Sequence, residues 1–187
     1  MMWISKEVDR LIVRQYEKVD GANSEIVDIW IEHILFSPGW WVVLLLALAP
    51  WIIWIKYRKK ESTARLLLAG IWVALIANFL NYIGVTLGLW QYKVKLVPVI
   101  PDFIAWDFSI LPVTIMFLIQ IRPNVKPIVK ALLFSTFTAF VGEPFFNWLD
   151  FFDYKNWHYL ASFPFYVVIY LVANRLTTSK SFSPIRG

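Results

Sequence analysis

The chain has 187 residues, of which 59% are hydrophobic and 18% aromatic. Its mean hydropathy of +0.59 is too high for a soluble domain and fits one small all-α membrane bundle. The formal charge is +5, but no basic patch is interleaved with exposed aromatics, so nucleic acid is not an expected partner. With no cysteine, disulfides, thiol catalysis and thiolate metal sites are excluded.

Residues 1–38 mix both signs of charge and lack the apolar core and small-residue cleavage site of a signal peptide. Val8, Leu11, Ile12 and Val19 recur near helical spacing among charged residues, which predicts an amphipathic interfacial helix. Gly21, Ala22 and Asn23 are expected to interrupt it. A second amphipathic helix is then expected from Ser24, with Glu25, Asp28 and Glu32 opposite Ile26, Ile29 and Ile34. The pair is read as lying on the bilayer or capping the bundle, with a protein partner of residues 1–38 as the alternative.

Five transmembrane spans are expected over 39–175, at 40–55, 66–89, 100–121, 128–146 and 159–173, followed by a polar cytoplasmic tail at 176–187. In the second span Gly70, Ala74, Ala77, Asn78, Asn81, Gly84 and Gly88 fall on one side of the helix. That stripe ends in a GxxxG pair, Gly84 and Gly88, a candidate homo-oligomer face. In the third span Pro101 suits a first turn, whereas Pro112 is expected to kink the helix and free a carbonyl near Phe108.

Charge placement orients the bundle. The first-to-second loop, the third-to-fourth loop and the tail hold eleven Lys and Arg, and the two opposite loops hold three. The amino-terminal region holds four, against seven acids. The positive-inside rule therefore places the amino terminus outside and the carboxyl terminus in the cytoplasm.

Two carboxylates remain in apolar surroundings. Asp107 is expected about two turns below the outer interface, and Glu143 at a similar depth, by the rise of about 1.5 Å per residue. An Asp within hydrocarbon costs about 2.5–3.5 kcal/mol on insertion scales, so partners are expected. Asn78, Asn81 and Tyr82 from the second span, Trp106 from the third, Asn147 and Trp148 beyond Glu143, and His158 and Ser162 from the fifth all fall in the same layer. They define a candidate polar pocket toward the outer face, with Asp107 and Glu143 as a coupled pair that shares a proton, bonds the asparagines, or recruits Lys93 or Lys95. Asp102, Asp150 and Asp153 are read as hydrated. His33 and His158 are too far apart in sequence to suggest a metal site, and no cofactor is expected.

The ordered elements QYKVKLVP, AWDFSILP, VGEP and DYKNW, with Asn81, Gln120 and Ser162, resemble a family of small multi-span membrane proteins of Bacillus- and Clostridium-type bacteria. That resemblance implies a bacterial plasma-membrane location and singles out Asp107 and Glu143, but it brings no activity with it. Three functions stay open. The pocket binds a lipid-like or amphiphilic ligand; or the polar layer is structural, in an assembly or accessory subunit; or the carboxylates perform acid–base chemistry on an isoprenoid-type lipid, with Trp106, Tyr82 or Trp148 facing a cation.

Overall fold

Helices account for most of the chain because its apolar runs are long; Pro38 and Pro127 open helices, whereas Pro50, Pro112, Pro144 and Pro164 lie within them. A computed structural model describes residues 3–178. Helix α1, Lys6–Ile29, is capped by Ser5 and runs on through a π-helical turn, Trp30–Ile34. It is continuous through Gly21, Ala22 and Asn23, where a break was expected. A single interior glycine costs only about 1 kcal/mol. Ser24 is mid-helix and bonds back to the Asp20 carbonyl at 3.0 Å, so it is no N-cap. None of the residues of α1 is buried. It projects from the bundle and does not cap it.

Four helices are long and apolar enough to cross a membrane: α2, Pro38–Tyr57; α3, Lys60–Thr86; α5, Pro127–Trp148; and α6, Tyr159–Thr177. Between α3 and α5 lies the shorter apolar helix α4, Ala105–Gln120. The expected third span, 100–121, is therefore only partly helical. Residues 100–103 are non-helical, so Pro101 precedes the helix and does not open it. On their outer sides the helices expose Leu45, Ile52, Leu75, Phe79, Leu133, Phe137 and Val168, the reverse of a soluble bundle.

Alanines let α3, α5 and α6 approach closely. Ala69, Val73 and Ala77 meet Leu111 and Ile115 of α4, Ala131 and Phe134 of α5, and Ile169, Tyr170 and Ala173 of α6. Of the expected stripe of α3, Gly70, Ala74, Ala77, Asn81 and Gly84 are buried, beside Leu66, Ala69 and Val73, whereas Asn78 is half-buried. Gly88 lies outside the helix. It follows the end of α3 with φ +68°, where the bonds Leu89 N–H to Gly84 O and Gly88 N–H to Val85 O close the helix.

All the helices from α2 onward run between the same two ends. At one end Gln120 accepts from the Lys59 N–H at 3.2 Å and donates to the Tyr57 carbonyl at 3.3 Å, tying α4 to the α2–α3 turn. Lys130 closes the same end of α4, donating to the Leu118 and Ile121 carbonyls at 2.8 and 2.6 Å. At the other end two short strands, β1 (Trp90–Tyr92) and β2 (Phe152–Tyr154), pair antiparallel with Trp90 opposite Tyr154 and Tyr92 opposite Phe152. Strand periodicity turns all four of these aromatics to one face. Gln91 and Asp153 take the other. The aromatic face lies over the bundle, with Tyr92 stacked on Phe103 at 5.4 Å, and the ribbon forms a lid.

Candidate functional site

Under the lid, α3, α4, α5 and α6 line a cavity of about 250 Å³. Both carboxylates expected from the sequence line it, and each sits at a π-helical turn. Asp107 lies within the turn Ala105–Ile110, closed by the bond Leu111 N–H to Trp106 O. Glu143 directly follows the turn Thr138–Gly142, closed by its own N–H to Thr138 O. In both cases a proline comes next, Pro112 and Pro144. Proline cannot supply the ordinary helical donor, and the extra residue of each turn widens the helix wall and re-aims the side chains around it. The carbonyl that Pro112 frees, Phe108 O, accepts from Trp51 Nε1 at 2.8 Å.

Asp107 is held by Asn81, whose Nδ2 donates to Oδ2. The orientation of Asn81 is fixed from the lid: its Oδ1 accepts from Trp90 Nε1 at 2.6 Å and from the Tyr92 hydroxyl at 2.9 Å. With its oxygen occupied by two donors, its nitrogen must face Asp107. Burial, with the charge of Asp107 next, pushes the Tyr92 phenol well above its ordinary range, so it stays a donor.

Glu143 has a separate shell of three hydroxyls. Tyr166 donates to Oε1 at 2.7 Å, and Tyr154 and Ser162 donate to Oε2 at 2.9 and 3.1 Å. Ser162 in turn accepts from Trp157 Nε1 at 2.9 Å. Among the described residues no hydrogen bond joins the two carboxylates, and their partner sets do not overlap. The geometry is thus two independently supported acids facing one cavity, where the sequence suggested a directly coupled pair.

Neither lysine of the neighbouring loop reaches them. Lys93 pairs with Asp150, and Lys95 donates to the Pro98 carbonyl at 2.6 Å. Asp102, expected to be hydrated, is instead buried, 8% exposed, with Oδ1 unpartnered. The loop that carries it packs beneath the amino-terminal segment, where Trp30 Nε1 donates to the Lys95 carbonyl at 2.7 Å and Trp40 Nε1 to that of Leu96 at 3.3 Å.

Of the expected pocket residues, Asn81, Trp106 and Ser162 line the cavity with the two acids, and the others do not. Asn78 is turned into its own helix and donates to the Ala74 carbonyl at 2.7 Å. Tyr82 and Trp148 are exposed on the outside of the bundle. Asn147 donates to the Phe152 carbonyl at 2.9 Å and so holds the start of β2. His158 caps α6, accepting from the Leu160 N–H at 3.2 Å. Gly84 is filled from within the chain: a Cβ there would lie 2.1 Å from the Trp90 ring. The polar residues of the site that sequence reasoning did not place there are Trp90, Tyr92, Tyr154, Trp157 and Tyr166. Tyr166 carried a signal, since it stands one helical turn after Ser162 and shares its face.

No group of three or more His, Asp or Glu that could hold a metal occurs among the described residues. No family model matches the chain, and neither a curated protein nor a solved structure matches it significantly.

Proposed function

We propose that this chain is a five-span protein of the bacterial plasma membrane, amino terminus outside, which binds a lipid-like or amphiphilic small molecule under the lid. The observation that carries the reading is the cavity itself: mainly apolar and aromatic walls with a few oriented polar groups, the usual character of a small-molecule site. A polar layer that served only to join helices has no need of a cavity beside it. Membership of the Bacillus- and Clostridium-type family is proposed on the ordered motifs, of which Asn81, Tyr92, Asp107, Glu143, Tyr154, Trp157 and Ser162 all fall on the cavity or its hydrogen-bond shell.

Crossing by α4 is supported by its two ends. It leaves the lid end beside Phe103 and ends at Gln120 on the α2–α3 turn, so it travels the depth of the bundle. Its helix is about 24 Å long at 1.5 Å per residue, short of about 30 Å of hydrocarbon, and extended residues above it make up the difference. Acid–base catalysis on an isoprenoid-type lipid is less well supported, because Glu143 accepts three donors and serves better as a fixed acceptor than as an acid. An accessory-subunit role is favoured by one observation only, the exposed apolar side chains of α1.

The test is mass spectrometry of what copurifies with gently solubilised protein, wild type beside Asp107→Asn. One defined amphiphile, retained by the wild type and lost from the variant, is expected. Bulk phospholipid alone in both samples would overturn the reading.

A further inference from the structure

The charge balance of the cavity specifies its ligand further. Nine of its twenty lining residues are aromatic, two are carboxylic acids, and none is Lys or Arg. The nearby lysines are engaged elsewhere, Lys93 with Asp150 and Lys95 with the Pro98 carbonyl. An anionic head group has nothing here to bind it.

Hydrogen bonding narrows the class again. Both oxygens of Glu143 already accept hydroxyl donors, and Asn81 Oδ1 already accepts two. A primary ammonium brings three N–H donors, each costly to leave unpaired away from water. An alkylated ammonium has a diffuse charge and needs no directed acceptors. Negative potential and ring faces suffice for it. Ile83 of α3 and Phe165 of α6 both line the cavity and are exposed on the outside of the bundle, which makes the seam between these helices the candidate exit for an attached chain.

Resting on the amphiphile reading above, we propose that the cavity takes an alkylated ammonium group borne on an apolar chain. The ammonium sits between Asp107 and Glu143 against the rings of Trp90, Trp106 and Trp157, and the chain leaves between α3 and α6. A free cationic amphiphile and a phosphocholine lipid share this chemistry.

The experiment titrates the full chain, in dodecyl maltoside micelles, with dodecyltrimethylammonium, its uncharged carbon isostere and dodecylphosphocholine, each as a mole fraction of detergent. Saturable change in tryptophan fluorescence is the readout. The expected result is binding of the ammonium at least about tenfold tighter than the isostere, as a partly desolvated cation on aromatic rings beside a carboxylate requires. In Asp107→Asn, which keeps the side-chain shape, that preference should collapse. Phosphocholine binding as tightly as the ammonium assigns the site to lipid head groups, and weaker binding assigns it to free cationic amphiphiles; both sustain the proposal. Equal binding of the ammonium and its isostere to the wild type overturns the ammonium assignment and leaves the cavity reading standing. No saturable response to any of the three overturns both. Because the decisive comparison is between two ligands on one protein, a variant that fails to fold does not obscure it.

Discussion

At the scale of single residues, the lid depends on the absence of one side chain. The Trp90 ring lies where a Cβ on residue 84 would be, and its Nε1 is committed to Asn81 at 2.6 Å. Gly84→Ala cannot be absorbed by a small rotation without breaking that bond. The expected cost is about 1–3 kcal/mol, the range for an overpacked core. Thermal melting should show the loss, and tryptophan emission should shift red as the indole moves toward solvent. Asp107 and Glu143 were legible in the sequence because an acid within an apolar run is conspicuous. Asp102 was misread because its distance from a span end says nothing of how a loop packs. Trp90 and Tyr166 were passed over since aromatics near a membrane surface are expected there in any case.

At the scale of elements, the cavity exists because two helices are locally widened next to a proline and one helix is cut short. The kink at Pro112 and the freed Phe108 carbonyl follow from proline chemistry alone, but the donor, Trp51, comes from α2 and only the fold supplies it. The β1–β2 ribbon was not foreseen either. Three-residue strands from two distant loops leave too little alternation to detect. The continuous α1 was misjudged for the opposite reason, since a local glycine signal was weighed above the helix formers around it. Short α4 needs help at its lower end, and Lys130 provides it. Its ammonium satisfies two terminal carbonyls that have no helical partner. Lys130→Met keeps the length of the stem but leaves both acceptors without a donor. The expected destabilisation is about 1–3 kcal/mol. Lys130→Arg should recover most of it, whereas a purely apolar role for the stem would make Met the better replacement.

At the scale of the whole molecule, the two ends of the bundle differ in charge as well as in structure. The end opposite the lid gathers Lys56, Arg58, Lys59, Lys60, Arg65, Arg122, Lys126, Lys130 and Arg175, while the lid end holds Lys93, Lys95 and Lys155. Positive-inside reasoning puts the first end in the cytoplasm and the lid outside, and this requires α4 to cross. If α4 did not cross, α5 would begin on the side where α3 ends and would carry β2 to the opposite side from β1, and the two strands could not pair. The natural absence of cysteine makes the arrangement directly measurable. Gln91→Cys stands on the solvent face of the lid, opposite Asp153, and Lys126→Cys stands in the exposed turn before α5. A membrane-impermeant maleimide added to intact cells should label the first at once and the second only after permeabilisation. The reverse pattern would invert the protein and place the cavity on the cytoplasmic side. Labelling of both in intact cells would mean that α4 turns back within the membrane, and a cavity with its lid on a defined side would no longer describe the molecule.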